Sequence, residues 1–298
     1  MPWRVASGLL LALLALWAVA CGDGPLFSPL LGEELPATPT PPAADEGAPA
    51  APRSFQALAE EAQSLLADYP GRVAFVALDA RSGQGVAINW DRPFIAASVI
   101  KLFTMMAVLR DVEDGLYPLA DVQDDLDLLM FYSDNEANAR LTNRVGLWRV
   151  NELMQSLGLT DSIYSLWPGV DEVYGEGSEN YITARDVARA LLALYRGEVF
   201  RDPGTTELAL AEMRPALEQD QLIIPRYLPD GARVAHKTGV IPPDEQYPSV
   251  LHDVGIVFPP QGEPYVVVFL SQENADHAAA YDLGAELSLL AYRAFATP

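Results

Sequence analysis

Ser98 and Lys101 stand three residues apart at the head of an apolar run, Leu102 to Leu109, that reads as a buried helix. Three-residue spacing on a helix puts two side chains on one face, one turn apart. A serine hydroxyl alone is a poor nucleophile. An amine held beside it can take its proton, provided burial or a second cation keeps that amine partly neutral. Lys101 and Lys237 are the only lysines in the chain; every other basic residue is arginine. Arginine does not deprotonate, whereas lysine can act as a base, so both lysines are candidates for chemistry. Plainer uses stand beside these. Ser98 can simply cap its helix, Ser133-Asp134-Asn135 can be a capping turn before Glu136, and Lys237 can be an edge-strand surface charge.

The elements that must position these groups follow from the rest of the chain. Its 298 residues, half of them hydrophobic, can supply a sizeable core. A net charge of −22 argues against a nucleic-acid partner, because phosphate contacts need clustered Lys and Arg. Cys21 is the only cysteine. An intramolecular disulfide, a cysteine-based metal site and a cysteine nucleophile are therefore not expected. His236, His252 and His277 are dispersed without ligand spacing and read as structural, so no metal or cofactor is expected.

Residues 1–21 read as a targeting segment. Arg4 precedes an apolar stretch, Ala6 to Ala20, too short to span a bilayer comfortably. It ends Leu16-Trp17-Ala18-Val19-Ala20-Cys21, which resembles a bacterial lipoprotein signal with Cys21 as the lipidated residue. The alternative is an ordinary secretory signal with an incidental cysteine. Either predicts export; the first also predicts a lipid anchor in a membrane, with the protein facing the cell exterior or periplasm. Residues 22–53, rich in Pro and Ala, read as a disordered tether.

Residues 54–298 read as one globular unit. Helices are expected over Ser54 to Tyr69, Ser98 to Glu113, Asn135 to Val145, Val150 to Leu157, Thr183 to Tyr195, Thr205 to Glu218 and Ala278 to Phe295. Strands are expected over Arg72 to Asp79, Val86 to Trp90, Arg233 to Lys237, Val254 to Phe258 and Tyr265 to Leu270. None is expected between Leu119 and Gly197, and Thr160 to Asn180 reads as a long loop. The fold class is therefore α+β: a five-stranded, mainly antiparallel sheet, with the first and last helices on one face and an all-helical insertion on the other. The first two and last three strands must meet in one sheet, so a site at the seam collects groups from both halves.

Ser98-x-x-Lys101, Ser133-Asp134-Asn135 and Lys237-Thr238-Gly239 follow one another in that order, the first on a helix N-terminus and the third on a strand. With Ile182-Thr183-Ala184-Arg185-Asp186-Val187-Ala188 and His252-Asp253-Val254-Gly255, they make the chain resemble the class A serine β-lactamases of the penicillin-recognising superfamily. The resemblance implies that Ser98 is acylated and that Lys101 is a candidate for the base. It implies that Ser133 relays a proton to the departing ring nitrogen, and that Lys237 supplies positive potential. Asn135 would bind the substrate's side-chain amide or hold Lys101. Thr238 would bind a substrate carboxylate, and Gly239 would let substrate lie against the strand. Backbone N–H groups of Ser98 and Val240 would form the oxyanion hole.

Two departures qualify the resemblance. The glutamate that positions the deacylating water is expected near Trp167-Pro168, where no acid stands. Glu172 and Glu176 are the nearby alternatives, and either can be merely a solvated loop acid. The interval from Lys101 to Ser133 is also short, which implies a cleft lacking one wall. The resemblance thus implies a β-lactam-opening serine hydrolase, with two alternatives. One is a penicillin-binding D,D-peptidase or esterase that acylates but deacylates poorly. The other is a surface-tethered binding domain with impaired catalysis. The expected ligand is a β-lactam or a cell-wall peptide, and the expected state is a monomer.

Overall fold

The computed structural model describes residues 54–165, 179–214, 222–243 and 249–296. The targeting segment, Cys21, the tether, Glu172 and Glu176 lie outside them.

Ser54 begins the described chain as a helix cap, its Oγ accepting from Ala57 N at 3.1 Å. Helix α1 (Phe55–Ala67) leads into strands β1 (Arg72–Asp79) and β2 (Gly85–Ile88), then the short β3 (Pro93–Ile95). A 3-10 turn, Ala97–Ile100, runs into α2 (Lys101–Glu113). The helical block continues with α3 (Gln123–Phe131), α4 (Asn135–Val145) and α5 (Leu147–Ser156). After β4 (Tyr181–Thr183) come α6 (Ala184–Tyr195) and α7 (Pro203–Glu212). Strands β5 (Arg233–Ile241), β6 (Val250–Phe258) and β7 (Tyr265–Gln272) precede the closing α8 (His277–Phe295).

The main sheet has the order β2-β1-β7-β6-β5. All its pairings are antiparallel, with Phe75 opposite Phe269 and Lys237 opposite Val254. Alternation along β1 divides the core in two. Ala74, Val76 and Leu78 pack with α2 and the helical block, while Val73, Phe75 and Ala77 pack with Leu58, Ala62 and the inner face of α8. The five-stranded α+β arrangement is therefore the one the apolar runs imply. Helix α2 is buried from Lys101 to Leu109, enclosed by its neighbours rather than amphipathic.

The structure corrects several boundaries. A strand does lie between Leu119 and Gly197: β4 pairs with β3 through Phe94 opposite Ile182. Each is only three residues long, too short for alternation to show. Strand β2 stops at Ile88 because Asn89 turns to φ +53°. Strands β5 and β6 run past the expected limits, since the polar residues of Lys237-Thr238-Gly239 and His252-Asp253 keep ladder pairing with one another. The helix expected to reach Glu218 ends at Glu212. Among the described residues, no helix is long and apolar enough to cross a membrane.

Candidate active site

Three segments from different parts of the chain deliver their side chains to one point. The first is the 3-10 turn that carries Ser98. The first residue of that turn, Ala97, has φ +44°, a left-handed value that a side chain tolerates poorly. The second is the turn between α3 and α4, where Ser133 has φ +54°. That residue stops α3 in the conformation usually given to glycine. Asp134 then caps α4, its carboxylate accepting from Ala137 N at 2.6 Å. The third is the edge strand β5.

Lys101 Nζ is the hub. It donates to the Ser133 carbonyl and to Asn135 Oδ1, the latter at 2.7 Å. It lies 3.2 Å from Ser98 Oγ and 3.3 Å from Ser133 Oγ. Two of these four neighbours are carbonyl oxygens and can only accept. A neutral amine has two N–H groups, which those carbonyls occupy; its lone pair is left to a hydroxyl. The side chain is 2 % exposed. Burial, reinforced by the charge of Lys237 and partly opposed by Asp134, lowers its pKa to about 7. Near neutral pH the amine is therefore available as a base.

Lys237 Nζ is 3.0 Å from Ser133 Oγ and donates to the Thr238 carbonyl at 2.9 Å. Ser133 Oγ thus sits between two amines. A Cβ on Gly239 would meet Val99 Cγ2 at 3.1 Å, Val99 N at 3.2 Å and the Ala97 Cβ at 3.3 Å. The close approach at Gly239 is therefore between β5 and the turn that carries Ser98. Val240 follows with an exposed side chain. Ser98, Lys101, Ser133, Asn135 and Lys237 are brought together; Thr238, Gly239 and Val240 extend the group along β5. The polar contact that fixes Asn135 is with Lys101, the second of its two expected uses.

Sequence reasoning missed the supports. Asn138, Thr104 and Tyr164 form a buried chain: Thr104 Oγ1 donates to Asn138 Oδ1 at 3.0 Å, and Asn138 Nδ2 donates to Tyr164 Oη at 2.8 Å. Asn151 grips the Tyr164 backbone from both sides, at 3.0 and 2.8 Å. The far end of the following segment returns to the same place. Ser165 N donates to Asn180 Oδ1 at 2.8 Å, and Ala96 N donates to the Asn180 carbonyl at 2.7 Å. The Thr160–Asn180 loop is thus closed at its neck and tied beside the turn that carries Ser98. Thr104, a polar residue inside the apolar helix α2, was the available signal.

Each of the three histidines bonds groups of the fold. His236 Nδ1 is 2.6 Å from Asp253 Oδ1, and His277 pairs with Ser249. His252 bonds Ile95 and Ser271. Among the described residues no group of three His, Cys, Asp or Glu side chains is arranged to hold a metal ion.

The model of the β-lactamase enzyme family matches residues 57–123 and 118–295. A β-lactamase of Bacillus licheniformis is 25 % identical over 237 residues, covering 70 % of this chain and 74 % of that protein. The crystal structure of a β-lactamase from Sphaerobacter thermophilus is similar with a TM-score of 0.70 and 26 % identity, over 81 % of this chain and 98 % of that one. The structure of PBP-A is similar with a TM-score of 0.69 and 23 % identity, over 82 % and 97 %, which shows a shared fold.

Proposed function

The chain belongs to the β-lactamase enzyme family, and from that premise we propose that it is a serine hydrolase that opens β-lactam rings through an acyl-enzyme on Ser98. The observation that carries this reading is the buried amine of Lys101, 3.2 Å from Ser98 Oγ and with its pKa lowered to about 7. Neutral Lys101 takes the Ser98 proton as Oγ attacks the lactam carbonyl. The oxyanion is held by the backbone N–H groups of Ser98 and Val240. Collapse breaks the ring C–N bond, and the nitrogen takes a proton from Ser133 Oγ. Ser133 is reprotonated by the Lys101 ammonium, so the net transfer runs from Ser98 to the ring nitrogen. Lys237 and Thr238 bind the substrate carboxylate. Water then hydrolyses the ester, with Glu172 or Glu176 as the base that positions it.

A second reading is a penicillin-binding peptidase in which the acyl-enzyme persists. It is favoured by Trp167-Pro168, which stand where the resemblance expects the deacylating glutamate. The protein works as an exported monomer tethered through a lipidated Cys21, which globomycin-sensitive processing in the native host would test.

The function is tested with a chromogenic cephalosporin. Catalytic turnover that disappears in Ser98→Ala supports the hydrolase. Stoichiometric labelling without turnover supports the peptidase. No reaction in either form contradicts both.

A further inference from the structure

Ile95, three residues upstream of Ser98, is gripped at both its backbone N–H and its carbonyl by side chains of the main sheet. Ile95 N donates to Gln272 Oε1 on β7 at 3.1 Å. The Ile95 carbonyl accepts from His252 Nε2 on β6 at 2.8 Å. His252 Nδ1 accepts from Ser271 N at 3.1 Å, which fixes the neutral tautomer with its proton on Nε2. The ring is fully buried and meets Phe94 edge-on, with centroids 6.1 Å apart. The next residue, Ala96, is held from the loop neck by Asn180. Immediately beyond these anchors comes Ala97 in its left-handed conformation, and then Ser98.

A non-glycine residue at φ +44° persists only where its surroundings over-determine it. The anchors on its N-terminal side are His252, Gln272 and Asn180; on the other side, β5 presses on the turn through Gly239. We propose that His252 and Gln272 are positioning residues for the nucleophile: by clamping Ile95 they hold Ala97 left-handed and keep Ser98 Oγ within reach of Lys101 Nζ. Neither side chain bonds Ser98 or Lys101 directly. They act through the backbone. The proposal rests on Ser98 being the nucleophile.

The test pairs structures with acylation kinetics on the full-length chain. His252→Leu and Gln272→Met each remove one bond to Ile95. His252→Gln keeps an amide N–H where Nε2–H stood. In a folded His252→Leu or Gln272→Met protein, the crystal structure should show Ala97 relaxed from φ +44° and the Ser98–Lys101 contact opened. The acylation rate constant for benzylpenicillin should fall about 10–100-fold, the loss typical of an ångström-scale misplacement. The dissociation constant of the non-covalent complex should change little, and His252→Gln should recover most of the rate. A merely structural role would lower melting temperature without splitting rate from binding. If His252→Leu does not fold, Gln272→Met decides. A folded variant with Ala97 and Ser98 unmoved, or one that acylates at the wild-type rate, overturns the proposal. If the wild-type chain forms no penicillin adduct, the reading of Ser98 fails separately. Movement of Ala97 and Ser98 in the variants then decides whether the clamp exists.

Discussion

Lys101 and Lys237 bring their amines to the same hydroxyl: Ser133 Oγ lies 3.3 Å from one Nζ and 3.0 Å from the other. Two cations facing one oxygen repel each other. The pKa of Lys101 falls, through burial first and the charge of Lys237 second. Below about pH 7 its ammonium has no lone pair for the Ser98 proton; above that value it does. Lys237→Ala removes the second cause and leaves the first. The acid limb of the acylation rate, measured at saturating substrate, should therefore move to higher pH while persisting. Lys101→Arg, which cannot deprotonate, should lose about 10²–10⁴-fold in that rate.

Gly239→Ala tests the contact between β5 and the turn that carries Ser98. The new methyl would meet Val99 and Ala97 at 3.1 to 3.3 Å, and two of the three atoms it meets belong to the turn's backbone or to a Cβ that moves with it. Over-packing of this kind typically destabilises by about 1–3 kcal/mol. Urea denaturation should show that loss, together with slower acylation. Unchanged stability and rate would mean that the turn yields freely.

Tyr164→Phe tests the buried chain beneath the loop neck. The substitution takes the acceptor from Asn138 Nδ2 and the partner from Thr142 Oγ1, both buried. Leaving such groups unpaired costs about 1–3 kcal/mol. Equilibrium unfolding should report it. The double variant with Asn138→Leu should lose less than the sum of the two single losses, because the pair is then removed together.

His252 should make the fold acid-sensitive. Burial lowers its pKa from the ordinary 6.5 to about 4. The folded state prefers the neutral ring, so its stability contribution is fully present above pH 6.5. It declines as pH falls and is lost below about 4. The interval corresponds to a contribution on the order of 3 kcal/mol. His252→Gln, which does not titrate, should show a shallower decline in unfolding free energy between pH 6.5 and 4. Parallel profiles for both proteins would contradict this assignment.

The site was legible in sequence to the extent that chemistry constrains residue type. Ser98, Lys101, Ser133 and Lys237 are polar groups at the heads or ends of apolar elements, and their order along the chain matched a known pattern. The central strands were legible because they are continuous apolar runs: β7 is buried throughout, and β6 except for its last residue. What holds the site was not. Strands β3 and β4 are too short to show a period. The left-handed φ values at Ala97 and Ser133 fall on residues whose types do not announce them. His252 and Gln272 fall outside the expected strands, and no spacing reveals their bonds to Ile95, because that partner is backbone 157 and 177 positions away. The extended polar ends of β5 and β6 were hidden by Lys237-Thr238-Gly239 and His252-Asp253, whose polarity serves the site and the core rather than marking a turn.

The most direct measurement is time-resolved intact-protein mass spectrometry of the chain mixed with a penicillin, from pH 5 to 9. A single penicilloyl mass on Ser98, forming faster as pH rises through about 7, is the predicted result. Its decay with hydrolysed drug accumulating identifies a lactamase; its persistence identifies an enzyme that halts at the acyl stage. Absence of any adduct, or an equal adduct on Ser98→Ala, would contradict a nucleophile activated by Lys101.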